Sequence, residues 1–289
     1  MATRWRCWFA GEDHEHLAAV GDWWADEIDR WDRLLSKFDP ASEVTRLNRA
    51  PVGKPIKVHR DLFNLLDLCE QARQGTQGLF DITASSMRAS DSQLESNAPP
   101  FQFDREQSIF SWSNANRQLD FGGVAKGYVL DQLAPTLHEH GITAALLDAG
   151  GSSLLTWDNA GEESPWLVSI ASAADDTTRR VLTTNVTQSE LSARPLVQLS
   201  NSALSYSATR AAGASSGQTI DPRVGRELPE SRACVVITQS AAWAEVLSTA
   251  ALCMGEAAAA KYIKEEHIVP CRLGWIEGAD VHWHSTSPV

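Results

Sequence analysis

Between Leu17 and Phe38, apolar residues recur every three or four positions: Leu17, Val20, Trp24, Ile28, Trp31, Leu35 and Phe38. That step holds them on one face of a single α-helix. A stripe this long and this bulky obliges the rest of the chain to supply a layer for it to pack on. Asp39-Pro40 ends the run, because the residue before a proline avoids the helical region. The expectation is therefore an early helix carrying a large share of a sizeable core.

The rest of the chain mixes strands and helices without a regular period. Residues 3–10 alternate weakly and read as an opening strand, and Val58 to Arg73 reads as a second helix with Leu62, Leu65, Leu66 and Cys69 on one side. Gly75 and Gly78 punctuate the chain before Leu79-Phe-Asp-Ile-Thr. Residues 85–100 are polar and end in Pro-Pro, the composition of a loop. From Arg117 to Gly127 the pattern suggests a strand end, a glycine turn and a helix start. Pro135 lies inside that helix and predicts a break or kink there, and Gly141 is a helix C-cap ahead of a strand over Ala144–Leu147. Apolar runs at 165–170, 195–199, 233–237 and 272–276 have strand length, with helical segments around 240–254 and 256–265 between the last two. No βαβ alternation, repeat or linker appears, so the expectation is one α+β domain over residues 1–289 rather than a doubly wound parallel sheet.

Composition excludes some functions. Asp and Glu outnumber Lys and Arg by 37 to 25, a formal charge of −12. A nucleic acid is a poor partner for such a chain, since polyanion binding needs a basic stripe. A small anion is not excluded, because backbone N–H groups, a lysine or a metal can hold its phosphates locally. The five cysteines show no CxxC spacing and read as reduced core thiols. No apolar run reaches the ~20 residues of a membrane span, and the first ten residues lack an apolar core of signal-peptide length. The expected location is cytoplasmic. Nothing in the pattern fixes the oligomeric state, and a homodimer stays open.

The stretch richest in chemistry is Leu119-Asp-Phe-Gly-Gly-Val-Ala-Lys-Gly-Tyr-Val-Leu-Asp131. It offers a carboxylate, two glycines that let a backbone approach a ligand, and Lys126 in the first turn of a helix, whose positive end favours phosphate. It has neither the P-loop order nor the GxGxxG spacing. A plain glycine turn packing a helix on a strand is the competing reading. The three His-x-His pairs (His14/His16, His138/His140, His282/His284) look weak as metal sites: i and i+2 face apart on a helix, and the last pair, which would share a face on a strand, lies near the C-terminal end and is assigned no carboxylate partner.

Asp120-Phe-Gly-Gly-Val-Ala-Lys-Gly-Tyr with Asp131 resembles the D-L-G-G-I-A-K-G-Y…D signature of the FAD:protein FMN transferase (ApbE) family. The other matches run in the family's order: Met1-Ala-Thr-Arg-Trp5, Phe38-Asp-Pro-Ala-Ser-Glu-Val-Thr-Arg-Leu-Asn48, Gly78-Leu-Phe-Asp-Ile-Thr83, Leu147-Asp-Ala-Gly-Gly151, Ile220-Asp-Pro-Arg-Val-Gly225 and Ala244-Glu-Val-Leu-Ser-Thr-Ala250. The resemblance implies an α+β fold with mixed or antiparallel sheets. It also implies an enzyme that cleaves FAD, passes FMN to a threonine hydroxyl of an acceptor flavoprotein and releases AMP, with Mg²⁺ on the diphosphate. It assigns FAD contacts to Met1, Asp81, Asp120, Lys126 and Ile220. Metal ligation falls to Gly123 through its carbonyl, and to Glu245, Ser248 and Thr249. Catalysis falls to Asp221 and Gln218.

Two of these positions depart from the family pattern. The histidine of H-x-I-D-P is Gln218, which cannot exchange a proton near neutral pH. The aspartate of A-D-A-L is Glu245, whose extra methylene moves the carboxylate by roughly 1.5 Å in a site where Mg²⁺ wants near-octahedral oxygens. Three readings stay open: a working transferase, an FAD-binding homologue with weak transfer or with pyrophosphatase activity, and an interaction module.

Overall fold

The structure is a computed structural model that describes residues 3–87, 99–157, 166–170, 181–182, 196–209, 219–266, 268–278 and 280–286. Met1 and Gln218, most of the 85–100 loop and the stretch 210–217 lie outside the described residues.

β1 (Trp5–Ala10) leads into α1 (His14–Leu35), α2 (Glu43–Asn48), β2 (Ile56–Lys57) and α3 (Arg60–Gly75). After a 3₁₀ turn at Ala84–Ser86 come β3 (Phe101–Asp104), β4 (Ile109–Trp112), α4 (Ala125–Glu139), β5 (Ala144–Ala149) and β6 (Ser153–Trp157). Short strands β7 (Trp166–Ser169), β8 (Val181–Leu182) and β9 (Leu196–Leu199) precede β10 (Ala203–Ala208), β11 (Ile220–Asp221) and β12 (Arg226–Glu227). The chain closes with β13 (Ala233–Thr238), α5 (Ala241–Met254), α6 (Glu256–Glu265), β14 (Arg272–Glu277) and β15 (Asp280–Ser285). The fold is α+β, as expected.

A seven-stranded sheet in the order β1-β5-β6-β10-β13-β14-β15 forms the spine, and its pairings are all antiparallel. The helices cover one face: α1, α3 and α4 pack with β5 and β6 around Trp24, Trp31, Leu66, Tyr128 and Leu147. Further along the same sheet, α5 and α6 seal β13 and β14 through Cys234, Leu247, Ile263 and Leu273. The three-stranded sheet β8-β7-β9 accounts for the opposite face, where Val168, Val197 and Leu199 meet Leu204, Val235 and Ile237. Covered on both sides, β13 is buried at every position, which explains why residues 233–237 read as an unbroken apolar run without the alternation of a half-exposed strand. β5 is buried throughout as well.

Three expectations need correction. The stripe of the first helix stops at Leu35, and Phe38 is 82% exposed. Ser36 takes an extended conformation, and its hydroxyl accepts the N–H groups of Phe38 and Asp39 at 3.2 and 3.1 Å, turning the chain away before Pro40 does. Pro135 neither ends nor divides α4, which runs through to Glu139. The missing N–H costs one bond late in a helix that Tyr128, Leu130, Leu133 and Leu137 anchor in the core. Residues 117–120 form no strand. Instead the Asn48 side chain takes the part of a neighbouring strand, accepting from Leu119 N at 2.7 Å and donating to Leu119 O at 3.1 Å. All five cysteines are free and four are buried. Desolvation pushes the Cys7 and Cys271 thiols up to about 11, which keeps them protonated.

Candidate functional site

The helix face of the sheet opens into a cleft of about 790 Å³, within the range of small-molecule sites. One wall comes from Lys37 and Phe38 after α1, from Phe80 and Asp81, and from Asp120, Gly122, Gly123 and Lys126 leading into α4. The other comes from Ser205 and Ser207 on β10, Thr219 and Ile220 at β11, and Glu245 and Thr249 on α5.

The glycine turn is held from both ends. Asp120 N–H donates to Ile82 O at 2.7 Å, and its carboxylate accepts Gly122 N–H at 3.0 Å. Its second oxygen meets the Lys37 ammonium at 2.5 Å, a contact along that wall that the sequence pattern did not signal. Lys37 also lies 5.2 Å from the Phe38 ring centroid. Because Asp39-Pro40 looks like the helix stop, the sequence pattern places both residues inside the helix, and nothing local marks them as rim.

Asp131, the last residue of the signature, points elsewhere. It accepts the N–H groups of Ala241 and Ala242 at 2.8 and 2.9 Å and the Ser240 hydroxyl at 2.7 Å. It therefore caps α5 from the flank of α4. Desolvation raises its pKa, against the pull of those donors. Gly127 permits this approach, since a Cβ there would lie 2.2 Å from Ala241 O. The signature's glycine and final aspartate thus fasten one helix to the other, and so fix Lys126 relative to Glu245.

Lys126 Nζ stands 2.8 Å from Glu245 Oε1. Gly127 N–H donates to the other carboxylate oxygen at 3.0 Å, and the Ser153 hydroxyl donates to Oε1. Glu245 is 3% exposed. A carboxylate buried this far needs such partners, and deleting the lysine would strand a charge at a cost of about 3 kcal/mol or more. Thr249 faces the turn: its hydroxyl lies 3.4 Å from where a Gly123 Cβ would be. Asp81 lines the same cleft, accepts the Thr83 N–H and hydroxyl at 2.7 Å each, and has its pKa raised by burial.

Two sequence candidates sit apart from this group. Ser248 is fully buried, and its hydroxyl is shared among Ser205 Oγ at 3.1 Å, Ser207 Oγ at 2.8 Å and Glu245 O at 3.1 Å, so it braces α5 on β10 behind the cleft wall. Asp221 is bound by Arg223 at 2.7 Å and accepts Arg223 N–H at 2.9 Å, while the same guanidinium donates to Cys253 O at 2.8 Å. Burial alone would raise its carboxyl, but the Arg223 side chain and N–H outweigh burial and hold it below the usual range. Thr219, Ile220 and Pro222 line the cleft while Asp221 locks the turn behind them.

The ApbE family model matches residues 1–273. The chain is 23% identical to the FAD:protein FMN transferases of Klebsiella pneumoniae (strain 342) and Escherichia coli (strain K12), over 92% of its own length and 80% of theirs. Among solved structures it resembles the Pseudomonas stutzeri flavinyl transferase ApbE in its apo form, with a TM-score of 0.74 at 21% identity over 97% of this chain and 90% of that one. The flavin transferase ApbE of Vibrio cholerae gives 0.74 at 18% identity, over 99% and 94%. With its signature turn, its cleft and a family match over nearly the whole length, the chain belongs to the ApbE family.

Proposed function

We propose that this protein is an FAD:protein FMN transferase, moving FMN from FAD to a threonine hydroxyl of an acceptor protein with release of AMP. The observation that carries the reading is the convergence of Asp120, Gly122, Gly123, Lys126, Glu245 and Thr249 on one cleft of ligand size in a chain of this family. In the reaction the acceptor oxygen forms a bond to the FMN phosphorus, the phosphoanhydride bond breaks, AMP leaves as a phosphate, and the hydroxyl proton passes to solvent or a cleft base.

The donors fit a hard cation. The Gly123 carbonyl, the Glu245 carboxylate and the Thr249 hydroxyl are all oxygens, the set Mg²⁺ prefers, and Ser248 supports them from behind. Bound there, Mg²⁺ would neutralise charge on the diphosphate. Lys126 supplies a second positive charge beside the start of α4. Phe38, exposed at the rim, offers a face on which a flavin ring can stack. Lys37 must leave Asp120 or carry it along as the ligand enters. Asp81, with its raised pKa, is the cleft carboxyl best poised to take a proton, the role that Gln218 cannot fill.

A second reading, FAD binding with weak transfer, rests on Gln218, which cannot exchange a proton near neutral pH, and on Glu245 in place of the family's aspartate. Incubation with FAD, Mg²⁺ and a peptide carrying an acceptor threonine separates the readings. Transfer gives the FMN mass increment on the peptide with equal AMP. AMP without the increment indicates a pyrophosphatase, and FAD binding without AMP indicates the weak homologue.

A further inference from the structure

His282 and His284 alternate along β15, so they project from one face of the hairpin. The register sets His282 opposite Trp275 and His284 opposite Leu273, and places Glu277 two residues beyond Trp275 on that same face. α6 packs over this face, and its first residue, Glu256, brings a carboxylate onto both histidines. A single Glu256 oxygen stands 3.0 Å from His284 Nε2 and 3.3 Å from His282 Nδ1. The ligand atoms of Glu256, Glu277 and His282 lie within 4.8 Å of one another.

We propose that these four side chains form a site for a borderline divalent cation of the Zn²⁺ type, different in chemistry from the oxygen-lined cleft. Tetrahedral ligands about 2.0–2.1 Å from zinc stand roughly 3.3–3.4 Å apart, close to the 3.3 and 3.0 Å at which the Glu256 oxygen stands from His282 and His284; His284 would turn in to join the group formed by Glu256, Glu277 and His282. Two nitrogens and two carboxylate oxygens suit Zn²⁺ and its neighbours better than Mg²⁺, which takes oxygen donors. Glu277, exposed at the strand end, has rotamers free to close the fourth position. Hydrogen bonds between neutral or charged histidines and Glu256 would hold the group together without a metal, but they leave Glu277 with no part in it. A bound cation would pin the start of α6 to the outermost hairpin of the sheet. Because α6 follows α5 directly after Gly255, that would steady the helix pair beside the cleft.

The test uses the full chain, stripped of metal with a chelator, in buffer with excess Mg²⁺ so that hard-cation sites stay filled. Calorimetric titration with ZnCl₂ should give one Zn²⁺ per chain, and Co²⁺ in its place should develop the visible absorption of a tetrahedral N/O site. At a hundredfold excess over its Kd, Zn²⁺ should raise Tm by on the order of 4 °C. The His282→Gln/His284→Gln double variant should lose the bound equivalent and the Tm shift. Both rings lie at the surface edge, so it should fold, with circular dichroism as the check. Glu277→Gln should weaken binding about tenfold or more, whereas Glu245→Gln should leave it unchanged. No bound equivalent in the native protein, or a full equivalent retained by the double variant, overturns the proposal. Neither result bears on flavin transfer.

Discussion

Phe38 shows how a single residue can follow a pattern and still escape its meaning. It continues the apolar stripe of α1 in sequence, yet it is among the few large apolar side chains that stand exposed. Phe38→Ala should leave Tm within about 1 °C of the native value, because little area is lost from the core. It should weaken FAD binding by roughly 2- to 10-fold, the worth of an aromatic stack at about 0.5–1.5 kcal/mol, as read by flavin fluorescence titration. Equal affinity in the variant would remove Phe38 from the site. Glu245 poses the opposite case, a residue that the motif singles out but whose partners are not local. Glu245→Gln keeps a hydrogen-bonding side chain while removing the charge that faces Lys126. Mg²⁺-dependent FAD binding should fall about tenfold or more, and the Mg²⁺ dependence itself should flatten. An undiminished response to Mg²⁺ would take Glu245 out of the metal shell.

At the scale of elements, the signature stretch owes its form to the seating of α4 against α5. Asp131→Ala removes the acceptor of two N–H groups and one hydroxyl at the α5 N-terminus. A lost cap costs about 1–2 kcal/mol, so the variant should unfold at lower urea with an unchanged m-value. Gly127→Ala should be worse, since its Cβ would enter the Ala241 carbonyl and force the two helices apart. The Asp221–Arg223 lock behind β11 makes a prediction in pH. Its folded carboxyl lies below the ordinary 3.8, so its contribution is fully present above that value and is lost as pH falls through the lower, folded one. The Tm difference between the native protein and Asp221→Asn should be constant from neutral pH down to about pH 5. It should then shrink as the solution becomes more acidic than pH 3.8. A difference that does not change with pH would mean that the lock is steric rather than ionic.

For the whole molecule, the cleft is a seam between an N-terminal wall and a wall made by β10, β11 and α5, so a ligand that touches both should stabilise the fold as a unit. FAD at a hundredfold excess over its Kd should add about 2.7 kcal/mol to the stability of the folded state, and removing Mg²⁺ should reduce that gain. The same scale decides what is legible in sequence. The long stripe of α1, the buried runs of β5 and β13, and the turn into α4 are legible because each is a local pattern whose period names its structure. The motif Asn48 is legible only as a letter. Its work, standing in for a strand beside Leu119, depends on a distant segment. By itself the sequence determined the family and the α+β class, and it singled out many of the residues that line the cleft. Tertiary structure alone decided that Lys37 meets Asp120, that Lys126 meets Glu245, that Asp131 caps α5, and that Glu256 reaches two histidines. Period and propensity act over one or two turns of chain, whereas these pairings were set by which helices and strands could bury their faces together.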